Sequence, residues 1–227
     1  MDMSEDIAIS MVREDAEYNQ NGDAVLKVAL EYPQLMMSGP TQGVRWINQN
    51  YMNQINVFWN YIKTKLLQSA ISDYNERKEN NDTMIPHEVN LNFYPSYQDN
   101  CTVSFYYDEY EYTGGAHGST VRNSDTWNYD SGYTYQLKDF FPYDMNYRSF
   151  LINEIINQIN DQVATGDQSY FDNYAELVHD TFQARNYYLT PEGIVIYFQQ
   201  YDIAPYSSGI REFLIPYQSG GYTLPKC

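Results

Sequence analysis

The residues best able to do chemistry lie in one short glycine-rich segment, EYTGGAHGSTV, where His117 follows Gly114 and Gly115 and precedes Gly118. A histidine can act as a general base or a metal ligand, and glycine N–H groups can stabilise an oxyanion. The same glycines suit a turn, because glycine adopts positive φ and allows close backbone approach. We favour the turn, with His117 held by a neighbouring carbonyl, over a direct contact between His117 and a ligand.

A metal site would need three or four ligands at workable spacing. The histidines and cysteines of the chain are instead dispersed: His87, His117, His179, Cys101 and Cys227. No CxxC pair, P-loop, GxGxxG motif or calcium loop is present. We therefore predict no metal and no other cofactor. The cysteines either pair in an oxidising compartment or leave Cys101 as a buried free thiol.

Catalysis is not predicted either. The glycine segment lacks the serine of a nucleophile elbow, and no nucleophile is evident nearby except Ser119. Carboxylates that could hydrolyse a glycoside are too abundant to be a specific signal, as in Asp108, Glu109, Glu111, Asp125 and Asp130. The alternative, a hydrolase, would require a concave pocket with polar groups converging near His117.

The charge balance points to the kind of partner. With 30 Asp and Glu against 13 Lys and Arg, the formal net charge is -17, which disfavours nucleic acid and favours a cationic partner. Acidity that only maintains solubility is the alternative. The 25 tyrosines suit wet interfaces and sugar-contacting surfaces as well as half-buried sheet positions. No apolar run approaches the roughly 18 residues of a membrane span, and the N-terminus lacks the features of a secretory signal.

Hydrophobic periodicity predicts two main helices and several strands. One helix extends from about Thr41 to about Tyr74 and a second from about Asn146 to about Val163, each with a single apolar stripe. Segments such as AVLKVALEYP alternate between apolar and polar residues and predict strands. The fold class is therefore α+β, with two portions in tandem, each an antiparallel sheet packed against one main helix. The boundary lies near Gly114 and divides the chain into residues 1–112 and 113–227.

Several motifs resemble a bacterial family of paired extracytoplasmic domains: YEYTGGAHG, LKDFF, and EGIVIYFQQYDIAPYSSGIREFLIPY. The first portion resembles DUF4163 (PdaC-like) domains and the second resembles DUF3298 (RsiV-like) domains, together covering about Asp23 to Tyr217. The most specific motifs are the glycine-histidine segment and the YxIAPYxxG block from Tyr201 to Gly209.

The resemblance implies an extracellular or cell-envelope location, reached through a signal or anchor absent from this chain. It also implies one of two settings, the ectodomain of an anti-sigma factor that recognises lysozyme or an attachment to a peptidoglycan deacetylase. We expect a non-catalytic binding or sensor domain for a cationic, lysozyme-like protein, with a module for cell-wall glycan as the alternative. The expected binding residues are Tyr110, Tyr112, Gly114, Gly115, His117, Gly118, Trp127, Tyr201 and Tyr206.

Overall fold

The computed structural model describes residues 7–166 and 169–217, and in that part of the chain it contains two β-sheets and four α-helices. This confirms the α+β class. The larger sheet has the strand order β1-β2-β3-β4-β5-β6, and the smaller has the order β7-β8-β9. The strands are β1 Ala8–Gln20, β2 Asp23–Met36, β3 His87–Asp99, β4 Thr102–Tyr112, β5 Ser119–Asn128, β6 Tyr133–Thr134, β7 Tyr187–Leu189, β8 Gly193–Phe198 and β9 Arg211–Pro216.

Residue contacts divide the chain into two units that are not continuous in sequence. Unit 1 contains the described residues of Met1–Tyr94, Tyr107–Val121 and Asp130–Gly132, and unit 2 contains those of Pro95–Tyr106, Arg122–Tyr129 and Tyr133–Cys227. Strands β3, β4 and β5 contribute residues to both units. The single boundary between residues 112 and 113 stays a prediction.

The first two strands form a hairpin that the sequence analysis did not predict. Asn21 (φ 52°) and Gly22 (φ 95°) connect β1 to β2, and both have the positive φ that a two-residue type I′ turn requires. The strand β1 is the edge of the sheet, and charged residues such as Arg13, Glu14 and Glu17 interrupt its apolar pattern. Charge on an edge strand opposes pairing with other chains.

The long predicted helix exists but is divided in two. Helix α1, Gln42–Tyr61, is capped by the Thr41 side chain, which accepts a hydrogen bond from the Val44 amide at 3.0 Å. A π-helical turn, Ile62–Leu66, leads into helix α2, Leu67–Asn80, which ends six residues beyond the predicted end.

The π-helical turn follows from the spacing of the buried stripe. The stripe extends from Val44 to Tyr74, which is 30 residues over eight turns, whereas eight regular turns need about 29. A π-helical turn absorbs one extra residue. The buried side chains therefore stay on one side of the helix, and Tyr51 meets the Phe93 ring of β3 edge-on at 5.4 Å.

One pairing in the larger sheet differs from the prediction. Strands β2 and β3 pair in parallel, with Leu26 opposite His87 and Leu30 opposite Leu91, so the sheet is mixed rather than antiparallel. The physical reason is the connection. The long helix between the two strands returns the chain to the end of the sheet from which β2 began, which is the geometry of a parallel crossover.

Unit 2 has an apolar core between the smaller sheet and two helices. Helix α3, Tyr147–Ala164, begins after the Asn146 cap, close to its predicted bounds, and helix α4, Tyr174–Thr181, follows. All six residues of β8 are buried, in contrast to the alternating pattern of β1. The core contains Leu151, Ile155, Ile159, Leu189, Ile194, Ile196, Phe198, Phe213 and Ile215.

Two remaining expectations concern the cysteines and the membrane. Cys101 is buried and disulfide-bonded, so the alternative of a free thiol is wrong. Cys227 lies outside the described residues. Within residues 7–166 and 169–217, no helix has both the length and the apolar character needed to cross a membrane.

Candidate functional site

The second half of β4 carries two glutamates on the side that faces helix α1. Alternation along the strand places Tyr107, Glu109 and Glu111 on one face. The Tyr107 ring stacks on Phe93 at 4.1 Å, and the hydroxyl of Tyr61 on α1 donates a hydrogen bond to Glu111. An apolar strand face thus becomes acidic toward its end, and we call Glu109 and Glu111 the glutamate pair.

In the part of the chain that the structure describes, no cation neutralises the glutamate pair. The pKa of Glu109 is raised, first by burial and then by the charge of Glu111. Burial also raises the pKa of Glu111, and the hydrogen bond from Tyr61 opposes that shift only in part. The pKa of Tyr61 is raised in turn, by burial and then by the two carboxylates. Neither glutamate forms an ion pair with a described residue.

The glycine-histidine loop follows the pair directly and has the turn geometry that we expected. Gly114 and Gly115 have φ of 100° and 90°, and the hydroxyl of Tyr112 donates to the Gly115 carbonyl at 3.1 Å. Gly118 is buried against the Tyr110 ring, which a Cβ at position 118 would approach to 2.4 Å. Backbone conformation or close packing therefore explains why glycine occupies each of these three positions.

His117 is exposed, and its Nδ1 lies 2.9 Å from the Gly118 carbonyl. This agrees with the expectation that a neighbouring carbonyl holds the ring. Next to the loop, Arg77 donates to the Asp73 carboxylate at 2.7 Å, and its guanidinium lies close to Gly114. These contacts tie the region of the loop to helix α2.

The structure divides the nine predicted binding residues between the two units. Tyr110, Tyr112, Gly114, Gly115, His117 and Gly118 share unit 1, whereas Trp127, Tyr201 and Tyr206 belong to unit 2. Trp127 is only 4% exposed, so its ring offers almost no surface to a ligand. The rings of Tyr201 and Tyr206 contact each other at 5.9 Å, and Tyr201 is 57% exposed. A binding role for these residues stays a prediction.

A cleft in unit 1 was missed by the sequence analysis because its strand, β1, was missed. The cleft has a volume of about 670 Å³ and lies between β1 and α1. Trp59 and Asn60 line it from the helix, and Glu14 and Tyr18 line it from the strand. The signal that could have revealed it is the Asn21-Gly22 turn, which implies a strand before it.

A second cleft, of about 410 Å³, lies in unit 2 and is lined by tyrosines such as Tyr135 and Tyr187. His117 lines neither of these two clefts. Among the residues that the structure describes, no three His, Cys, Asp or Glu side chains are grouped in a way that could hold a metal ion.

Comparisons with known proteins agree with the resemblance at the level of the family models. Residues 138–218 match the model described as a protein of unknown function, DUF3298. Residues 19–120 match the model described as deacetylase PdaC, and that match includes the glutamate pair and the glycine-histidine loop. A comparison with curated proteins gave no match.

Two crystal structures share the fold. One is a member of the DUF3298 family from Bacteroides fragilis, with 18% identity, a TM-score of 0.69, and coverage of 95% of this chain and 91% of that one. The other is a DUF3298 family protein from Pseudomonas aeruginosa, with 18% identity, a TM-score of 0.58, and coverage of 92% and 91%. At these identities the comparison establishes a common fold.

Proposed function

We propose that this chain is a non-catalytic binding or sensor domain of the bacterial cell envelope that captures a cationic protein, with a lysozyme as the leading candidate. The observation that supports this most directly is the glutamate pair. Two partly buried carboxylates with raised pKa values, and with no cationic partner among the residues that the structure describes, lower their free energy when a lysine or arginine side chain approaches them. A protein partner can supply such a side chain.

The surroundings of the pair are those of a protein-binding surface. Tyr61 is 39% exposed beside Glu111 and provides aromatic area there. The net charge of -17 would increase the rate of encounter with a basic protein and make that rate sensitive to salt. The proposed extracytoplasmic location in the envelope rests on the resemblance to DUF4163 and RsiV-like ectodomains, and the name of the matched deacetylase PdaC model suggests a relation to the cell wall.

Calorimetric titration with a basic lysozyme at low and high salt tests the proposal. We expect the variant E109Q/E111Q to weaken binding about tenfold or more, the effect typical of removing central charges from an interface. The matched control is E176Q/D180N, which removes two exposed carboxylates from α4 in unit 2. If no heat of binding is detected at either salt concentration, the lysozyme proposal is wrong. If both double variants weaken binding equally, the net charge of the protein determines the affinity and the glutamate pair makes no specific contribution.

The second candidate is a module that binds cell-wall glycan. The cleft between β1 and α1 favours it, because Trp59 and two asparagines of α1 line that cleft. Sedimentation with purified cell wall separates the two candidates. Wall binding that persists at high salt supports the glycan, whereas binding that depends on added lysozyme and disappears at high salt supports protein capture.

A further inference from the structure

We infer that the cleft between β1 and α1 is a binding site for an uncharged oligosaccharide, with the ring of Trp59 as its platform. This inference rests on the second candidate function and names the site and the ligand class for it. The periodicities of the two elements build the cleft. Asn56, Trp59, Asn60 and Lys63 follow each other at helical spacing, and Glu14 and Tyr18 share one side of the strand.

The Trp59 ring is held in position before any ligand arrives. Its indole N–H donates to one oxygen of the Glu14 carboxylate, and the Tyr32 hydroxyl donates to the other at 3.0 Å. Glu14 is thereby fixed from two sides, and it fixes Trp59. The indole N–H is satisfied within the protein, so the ring can present its apolar surface to a ligand without leaving a polar group unpaired. An immobile platform also reduces the loss of entropy on binding.

The polar groups around the platform suit hydroxyl and amide groups of a ligand. Asn56 and Asn60 are exposed and lie three residues before and one residue after Trp59, so their amides flank the ring. Each amide offers both donors and an acceptor, as sugar hydroxyls require. The volume of about 670 Å³ lies within the range of roughly 300–1,000 Å³ that small-molecule sites occupy.

The charged and polar groups of the cleft disfavour the other ligand classes. The Lys63 ammonium lies over one face of the Trp59 ring, 5.3 Å from its centre, so a cationic ligand would meet a like charge there, whereas a sugar can stack on the ring once this flexible side chain moves aside. Glu14 and the net charge of -17 disfavour an anionic ligand. A purely apolar ligand would leave the asparagine amides without partners. An uncharged, hydroxyl-rich ring with an apolar face is the class that remains.

The test is a titration of the purified protein with tri-N-acetylchitotriose, followed by tryptophan fluorescence and by calorimetry. We expect saturable binding by the wild type and a loss of about tenfold or more in W59A, as expected for removal of an aromatic anchor. The matched control is W46A, because Trp46 lies on the same helix and is 59% exposed but does not line the cleft. Its affinity should equal that of the wild type.

A second variant covers the case in which W59A does not fold. N56A/N60A replaces two exposed side chains and should weaken the same binding while circular dichroism stays unchanged. No binding by the wild type at millimolar oligosaccharide overturns the inference, and so does equal binding by the wild type and the cleft variants. Sedimentation with purified cell wall shows whether only the proposed binding site is wrong or whether the protein does not bind glycan at all. A wild type that sediments with wall while W59A sediments equally well retains the function and refutes the site.

Discussion

The two units differ in the partners that they give to glutamate side chains. In unit 2, Glu212 forms an ion pair with Arg122 and accepts a hydrogen bond from the Tyr188 hydroxyl at 2.8 Å. Arg122 also lies over the Tyr106 ring at 4.3 Å, and Gln199 bonds both of its backbone groups. In unit 1, the glutamate pair has one hydrogen bond from Tyr61 and no cation among the described residues.

The difference separates a structural charge from one available for binding. Glu212 has both a cation and a hydrogen-bond donor as partners, so its charge is satisfied within the fold. Among the described residues the glutamate pair has no cation, and burial and mutual repulsion raise its pKa values. A fold retains an unsatisfied pair of this kind at a cost in stability, and a ligand that supplies the missing charge recovers that cost.

The largest effect is expected from breaking the complete network of unit 2. The variant R122A leaves Glu212 without its cation and removes the contact with Tyr106. Since Glu212 is 41% exposed, water offsets part of the loss, and we expect about 2 kcal/mol of destabilisation rather than the 3–5 kcal/mol of a fully buried pair. Urea denaturation measures it.

The control for R122A is R13A, which removes an exposed arginine paired with Asp15 on the edge strand β1. Its free energy of unfolding should not change measurably, because exposed pairs contribute little. Equal losses in the two variants would mean that the network around Glu212 is no more structural than a surface pair.

Histidines provide a second contrast between the units, visible in the dependence of stability on pH. His87 in unit 1 is 2% exposed, and burial lowers its pKa although Asp73, 3.4 Å away, raises it. The unfolded state therefore binds a proton at a higher pH than the folded state does. As the pH falls below 6.5, the contribution of His87 to stability should fall by at most about 1.4 kcal/mol per pH unit.

The variant H87F should remove this loss, because the phenyl ring fills a similar volume and does not titrate. The comparison variant is H179A, which removes an exposed histidine of unit 2. Thermal unfolding from pH 7.5 to pH 5 distinguishes the two. A pH dependence that H179A abolishes and H87F leaves intact would contradict the assignment to His87.

Local patterns in the sequence predicted the elements that depend on local physics. The stripe from Val44 to Leu66 predicted the long helix, because a 3.6-residue period needs no knowledge of the partner surface. The hairpin strand β1 was missed since its charged residues obscure the apolar alternation, although Asn21 and Gly22 marked its turn. The parallel pairing of β2 and β3 depends on where the helix returns the chain, which periodicity does not encode.

In the candidate sites, too, the features set by local sequence were predictable and those set by tertiary contacts were not. The turn geometry of Gly114 and Gly115 was predictable because positive φ is a property of the residue type. The contact between Tyr61 and Glu111 joins positions 50 residues apart, and only the packing of α1 over the end of β4 creates it. Glu109 therefore looked like one acidic residue among many, and its raised pKa is a product of the tertiary structure.

The glutamate pair should oppose folding at neutral pH. Because the folded pKa values lie above the ordinary 4.5, the contribution of the pair to wild-type stability should fall as the pH rises from 4.5 through the raised values. The variant E109Q/E111Q should lack this fall and be more stable at pH 7 by up to about 1 kcal/mol. Denaturation of both proteins at pH 4 and pH 7 measures the difference, with E176Q/D180N as the control. A variant less stable than the wild type at pH 7 would show that the pair is structural, as Glu212 is.

The smallest effect is expected at the ends of the main helices. Asn81, the residue that caps the C-terminus of helix α2, has φ 57°, within the left-handed region that asparagine tolerates, whereas the chain after α3 turns at Gly166 with φ 103°. The variant N81G should therefore change the free energy of unfolding by only a few tenths of a kcal/mol, because both residues adopt this conformation. The reverse replacement, G166N, should cost more, since φ near 100° lies outside the region that a side chain allows. Equal and small effects in urea denaturation would mean that the end of α3 relaxes to accept the new residue, and that the backbone of unit 2 is less constrained there than its φ value implies.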